Sequence, residues 1–344
     1  WTPIAYNITY DLGGHGTNSK DNPATYTIES DTFALVEPAP NTGYTFVGWY
    51  DAAEGGNRIT NFQKGSYGDR TVYARWSTSG FAIHYGNVSE ANAANFDALP
   101  KSFTIDAAVP LVDAKMSESS NSVFLYWCTD RNNPEKTKIT KIPKGTNASV
   151  TLYAHYITTQ IQTLAHLEAL RDAVNAGYSM AGETFHLVDA INLPEKWVSI
   201  GRSYNDAAGT EFAGTFDGGS TDPNVAITYP ACGNNVMETV QPLFGVNAGT
   251  VQNLVVKLQA TVNNWDADMP FGMVAQANAT GGEITNCKVI AAADVTEVAV
   301  SKREYAGSAV AGSIGGIVGV NEGTITNCSV GNAEAVIRIK GNAS

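Results

Sequence analysis

The chain has 344 residues, 43% of them hydrophobic and only 16% charged, with 33 glycines and a formal net charge of −12. That much apolar material excludes a disordered chain and suits two or three domains with sizeable cores. No Lys/Arg cluster stands out, which argues against a nucleic-acid partner, and no run approaches the roughly 20 apolar residues of a membrane-crossing helix.

The glycines, with abundant Thr, Asn and Ala, favour turn-rich β structure over helix bundles. An acidic, weakly charged surface fits an extracellular protein. The chain starts at Trp1 without Met or a signal peptide, which reads as a processed or trimmed piece. The cysteines Cys128, Cys232, Cys287 and Cys328 have no CxxC spacing, so zinc is not expected. Cys287 and Cys328 read as small buried apolar residues, with a bridge open only if neighbouring rungs bring them together.

The first half is written twice. TGYTFVGWYD (42–51) aligns with NSVFLYWCTD (121–130), NPATYTIESD (22–31) with LPKSFTIDAA (99–108), and ITNFQKGSYGDRTVYARW (59–76) with ITKIPKGTNASVTLYAHY (139–156). Trp49 and Trp127 lie 78 positions apart and Lys64 and Lys144 lie 80 apart, the mark of a duplicated unit. Within each unit, YTIES and TVYARW alternate apolar and polar residues as half-buried strands do, with TGY and KGS as turns. Trp49, Trp76 and Trp127 sit inside such strands and are expected to anchor cores, with a sugar-stacking platform as the alternative.

On these residues, positions 4–76 resemble the Listeria–Bacteroides repeat, the B-repeat of internalin-type surface proteins. The second copy is similar but degenerate: it lacks the Gly13-Gly14 pair and reads SVFLYW where the first reads GYTFVGW. The resemblance implies two small β-grasp-like modules, 1–78 and 79–157, of the kind strung in tandem on bacterial surfaces.

From Thr158 to Gly177 the texture is helical. Ile161, Leu164, Leu167, Leu170 and Val174 form one apolar stripe, Thr159 with Gln162 reads as a capping box, and Gly177 as the stop. A third region, 158–344, therefore opens with a helix and continues in short glycine-bounded strands. GTVQNLVV (249–256), GEITNCKV (282–289) and GTITNCSV (323–330) write one strand three times, with Asn253, Asn286 and Asn327 spaced by 33 and 41. Such periods suit a solenoid.

In a parallel β-helix the courses lie ~4.8 Å apart and like stacks on like. Val251/Ile284/Ile325 and Leu254/Cys287/Cys328 both suit inward stacks, provided the strand bends between them. Stacked asparagines at that bend would bond as amide ladders do. A hairpin over GIVGVN-EG-TITNCSV is the competing local reading.

LFGVNAGTVQNLVV and GGIVGVNEGTITNCSV resemble the GLUG-motif region of bacterial surface proteins, which is similar to right-handed β-helices of the pectin-lyase-like class. The 270–291 copy departs from it with FGMVAQ. The helix would cap one end of the solenoid. No closing cap is evident before Ser344, which suggests more coils or a truncation. The expected fold is thus mainly β: two tandem β-grasp-like modules, then a right-handed parallel β-helix capped by one N-terminal α-helix.

HExxH, GxSxG, a Walker loop and a helix-opening GxGxxG are all absent, and the five histidines are scattered. No catalytic residue, cofactor or metal is expected. Asp189, Asp206, Asp217, Asp222, Asp266 and Asp268, with Arg202 or Arg303 as a partner, are the carboxylates to weigh for glycosidase chemistry, which needs two acids flanking a groove. Trp265, Asp266 and Asp268 share a loop and form the best candidate sugar-facing patch. The expected function is adhesion to, or recognition of, host glycoprotein or polysaccharide from the bacterial surface or as a secreted protein. A carbohydrate-active enzyme using the β-helix groove and a passive stalk are the alternatives.

Overall fold

The computed structural model describes residues 2–206, 209–220, 222–230, 241–264, 269–292, 295, 297–302, 313–331 and 335–340. The chain is mainly β, with one α-helix among the described residues, Leu164–Asn175. It divides into two compact units, residues 1–114 with 126–155 and residues 115–125 with 156–344.

The first unit repeats one sheet plan. In the first sheet the strand order is Thr25–Tyr26, Tyr6–Asp11, Arg70–Thr78, Tyr44–Tyr50, Arg58–Ile59. In the second it is Ser102–Thr104, Gly80–Tyr85, Val150–Thr158, Ser122–Cys128, Lys138–Ile139. Each centres on one parallel pair, registered Ile8↔Arg70 in the first and Ile83↔Val150 in the second. Antiparallel neighbours flank that pair, registered Asn7↔Thr25 and Phe81↔Phe103.

The duplication extends to side-chain bonding. The buried Trp49 donates its indole N–H to the Val36 carbonyl (3.0 Å), and the buried Trp127 donates to Val112 (2.9 Å). Tyr10 donates its hydroxyl to Pro23 O (3.0 Å) and Tyr85 to Pro100 O (2.8 Å). The ring pairs Tyr10/Trp49 and Tyr85/Trp127 sit 5.3 and 5.1 Å apart, and burial pushes both phenols up to about 12. A large ring buried with its one polar atom paired gains its full area without an unsatisfied donor. Trp76 is only half-buried. Its N–H meets Leu12 O (2.9 Å), and its ring covers Gly16, where a Cβ would overlap it.

In the second unit the chain passes through four sheets in a fixed order. Phe244–Asn247, Thr250–Gln252, Val255–Leu258 and Val262–Asn264 make one course. Ala275–Asn278, Glu283–Thr285, Lys288–Ala291 and Glu297–Lys302 make the next. Val318–Asn321, Thr324–Thr326, Ser329–Val330 and Val336–Lys340 make a third. All pairings between courses are parallel and in register, among them Val251↔Ile284↔Ile325 and Val256↔Val289↔Val330. Val318–Asn321 and Thr324–Thr326 belong to different sheets, so the hairpin is not formed.

The repeated asparagine makes this possible. Asn253, Asn286 and Asn327 all adopt left-handed backbone, with φ of 53°, 53° and 52°. Asn tolerates that region better than other residues bearing a Cβ. The bend resets the strand alternation, so residues two before and one after it both face inward. Val251, Ile284, Leu254 and Cys287 are accordingly all fully buried. Each bend also bonds to the next course: Asn253 N donates to Thr285 O (3.1 Å) and Asn286 N to Thr326 O (2.9 Å). Asn286 Nδ2 donates to Asn253 Oδ1 (2.7 Å), and Asn253 Nδ2 to Asp217 Oδ1 (3.0 Å). Cys287 and Cys328 are free thiols directed at the backbone carbonyls of Thr285 (3.3 Å) and Thr326 (3.4 Å).

The helix begins later than its apolar stripe suggests. Gln160–Ile161 is a strand, registered Gln160↔His186 and Ile161↔Leu187, and the fully buried Ile161 belongs to the sheet. The N-cap is therefore Thr163, whose hydroxyl accepts from His166 N (3.3 Å), and not Thr159. The end is as expected. Gly177, φ 103°, donates to Val174 O (2.9 Å), and Tyr178 donates to Ala173 O (3.1 Å), a Schellman closure. Leu167, Leu170, Ala173 and Val174 join one core with Ile161, Phe185, Phe212, Phe216 and Phe244.

The left-handed bend predicts an order of stabilities. Asn286→Gly keeps the backbone and loses the amide bonds, whereas Asn286→Ala also carries the left-handed penalty, so Ala should be the less stable variant by about 1 kcal/mol in urea unfolding. Equal stabilities would contradict the bend's role.

Candidate functional site

The longest sheet runs Gln160–Ile161, Thr184–Leu187, Thr215–Asp217, Thr250–Gln252, Glu283–Thr285, Thr324–Thr326, all parallel. In the four middle-to-last strands the central residue points inward (Phe216, Val251, Ile284, Ile325), and its neighbours form two outward columns. One column is Thr184, Thr215, Thr250, Glu283 and Thr324. The other is Gln160, His186, Asp217, Gln252, Thr285 and Thr326. Adjacent members repeat at the inter-strand spacing of ~4.8 Å. The result is a wall of hydroxyl and amide groups at regular intervals, carrying few charges.

Asp217 is the carboxylate set deepest in this wall, and it is fully engaged. It accepts from Gly219 N (2.8 Å), Gln252 Nε2 (2.9 Å) and Asn253 Nδ2 (3.0 Å). Burial alone would raise its carboxyl, but the hydrogen bonds from Asn253, Gly219 and Gln252, with His186 alongside, outweigh it and hold the group below the usual carboxylate range. It ends the asparagine ladder and also accepts from the Gly219 amide and the Gln252 side chain.

Beside the first strands of the wall lies a polar recess of about 370 Å³, lined by Ser117, Glu118, Asn121, Gln160, Glu183 and His186 among others. A second recess, of about 430 Å³, lies in the first unit, where Asn61, Gln63, Asp69, Arg70 and Tyr73 supply amide, carboxylate, guanidinium and aromatic groups. Asp69 there accepts from Asn7 N (2.7 Å).

Of the residues singled out from sequence, Trp265, Asp266, Asp268 and Arg303 lie outside the described residues. Arg202 lines a recess of about 260 Å³ together with Asp206, Thr210 and Gln241. Its Nε bonds Glu211 Oε1 (2.7 Å), and its Nη1 bonds the carbonyls of Ser203 (3.2 Å), Tyr204 (3.1 Å) and Asp206 (2.8 Å), so it organises its own loop. Burial would raise the Glu211 carboxyl, but Arg202 and the Gly209 amide hold it low. Asp206 accepts from Ser203 N (3.2 Å) within the same loop, and Asp189 is exposed. Among the described residues no three of His, Cys, Asp or Glu gather as a metal-ligand set. The outward columns were not anticipated, although the spacing of Thr and Gln around the inward residue in TVQN, EITN and TITN carries them.

Residues 6–75 match the Listeria-Bacteroides repeat domain. A stretch of 136 residues, 38% of the chain, is 26% identical to a protein of Evansella cellulosilytica provisionally named as a membrane protein; the match spans 19% of that protein's length. No solved structure matches the chain. Among the described residues no helix is long and apolar enough to cross a membrane.

Asp217 yields a pH-dependent prediction. Because its folded-state pKa is depressed, its contribution to stability is present above the unfolded value of about 3.9 and is lost as pH falls through the folded value. Asp217→Asn should cost about 1 kcal/mol near pH 7, and the gap to the parent should close toward pH 3. A gap independent of pH in urea titrations would rule this out.

Proposed function

We propose that this is an extracellular bacterial surface protein, or a secreted one, that recognises host glycoprotein or polysaccharide without catalysis. Unit one comprises two β-grasp-like modules of the Listeria–Bacteroides type. Unit two is a right-handed parallel β-helix of the GLUG kind, covered at one end by Leu164–Asn175. The repeat-domain match over residues 6–75 supports the surface location. The succession of parallel courses through the same four sheets supports the β-helix.

One observation carries the binding reading: the outward face of the longest sheet sets hydroxyl and amide groups in register at a fixed repeat. A saccharide chain presents hydroxyls at regular intervals, and such groups bond them without the desolvation penalty of buried charge. The carboxylates nearest to a catalytic role in this unit are occupied, Asp217 by the ladder and Glu211 by Arg202. That supports recognition over the carbohydrate-active alternative.

Glycan arrays and mucin binding test this. The intact chain should bind a defined saccharide class, and Thr285→Arg with Thr326→Arg should weaken it at least tenfold while leaving the urea midpoint in place. Failure of the intact chain to bind any saccharide or mucin would contradict the proposal. Release of new reducing ends or unsaturated products from a bound polysaccharide would establish the enzymatic alternative instead.

A further inference from the structure

Cys287 and Cys328 each follow the left-handed asparagine of their course, and the register sets them opposite one another. Thr285 pairs with Thr326 and Lys288 with Ser329, so Cys328 is the counterpart of Cys287. One course earlier Leu254 holds the same place, so within this stack Cys287 has one sulfur neighbour. Two bonds hold the courses at this alignment. Ser329 N donates to Cys287 O (3.0 Å), and in a neighbouring sheet the buried Asn278 donates its side-chain amide to Asn321 Oδ1 (2.9 Å).

The sulfurs are placed to meet. Registered strands lie ~4.8 Å apart, inside the Cα separation of ~4.4–6.8 Å that disulfides span. Cys328 Sγ lies 3.5 Å from Ile284 O, so it leans toward the course that carries Cys287. Cys287 Sγ lies 3.6 Å from Val251 O and leans the same way, toward the course before its own. One rotation about the Cys287 Cα–Cβ bond, between ordinary staggered wells, turns its sulfur to Cys328. The contacts that hold the thiols now are weak S–H donations to carbonyls. Each sulfur already feels the other: contact with Cys287 lowers the Cys328 thiol, and contact with Cys328, together with burial, raises Cys287.

We propose that Cys287 and Cys328 form a disulfide that clips two consecutive courses of the second unit together. The oxidant is an external disulfide, either oxidised glutathione or the active disulfide of an oxidase. One cysteine thiolate attacks it, forming a mixed disulfide and releasing one external thiolate. The other cysteine gives up its proton and attacks the protein sulfur of that mixed disulfide. The Cys287–Cys328 bond forms as the second external thiolate leaves, so two electrons pass from the pair to the oxidant. Exchange before the courses close gives both sulfurs access to it. The bridge then restricts the unfolded chain between the two cysteines and fixes one course on the next. This rests on register and is independent of the saccharide-binding wall.

The test maps the thiols of the full chain exported to the bacterial periplasm, an oxidising compartment. Free thiols are alkylated at lysis, and the chain is digested without reductant for mass spectrometry. The main form of both cysteines should be one peptide pair joining Cys287 to Cys328, two hydrogens lighter than its parts. Dithiothreitol should open it and lower the urea midpoint by about 0.5–1 M, and Cys328→Ala should have a midpoint that dithiothreitol no longer moves. Recovery of both cysteines as alkylated thiols would overturn the proposal, as would bridging of either to Cys128 or Cys232. A bridge whose reduction leaves the midpoint unchanged or raises it would also overturn it, since the folded courses would then not accommodate the bond.

Discussion

A single backbone constraint organises the second unit: in each of three courses the chain must turn through a left-handed residue between two inward-facing strands. Asparagine meets that requirement and then adds a side-chain bond to the equivalent asparagine one course away, as Asn286 does to Asn253. Without the bend, strict alternation would expose either the Val251/Ile284 stack or the Leu254/Cys287 stack. With it, both are buried, and the register of every neighbouring sheet follows.

Two ladders, one at the bends and one within a sheet, reinforce that register in opposite senses. The Asn253 ladder donates back toward earlier courses and ends on Asp217. The Asn247 ladder donates forward and, among the described residues, reaches Asn321. Burying a row of amides costs free energy unless each is bonded, and Asn247 and Asn278 are fully buried with three acceptors within reach of the two N–H groups of each Nδ2. A slip of one residue would break every member at once, so the ladders specify alignment as well as stability. Because inward positions are taken by apolar stacks and polar capacity at the bends by the ladders, the polar groups left facing outward are those of the two columns.

Much of this was legible in the sequence. The thrice-written GTITN-type strand carried the stacks, and the fixed offset from Trp49 to Trp127 carried the duplicated sheet plan, whereas the paired indole and phenol bonds are visible only in the structure. The helix start was misread because Ile161 fits the helical stripe equally well as it fits a strand; spacing alone cannot tell a residue buried by a helix from one buried in the sheet before it. The Asn247–Asn278–Asn321 ladder was missed although each asparagine stands two to four residues ahead of a glycine, since the intervening lengths differ. The wall escaped notice because Thr and Gln carry no motif of their own and gain meaning only from register. Trp265, Asp266 and Asp268 remain a sequence-level candidate, outside the described residues.

The account rests on asparagines touching across courses in solution, and a double-mutant cycle measures that contact. Glycine at 253, at 286 and at both positions preserves the left-handed backbone while removing one or both amides. The account predicts a coupling energy of at least about 0.5 kcal/mol in urea unfolding; losses that simply add, within about 0.3 kcal/mol, would contradict it.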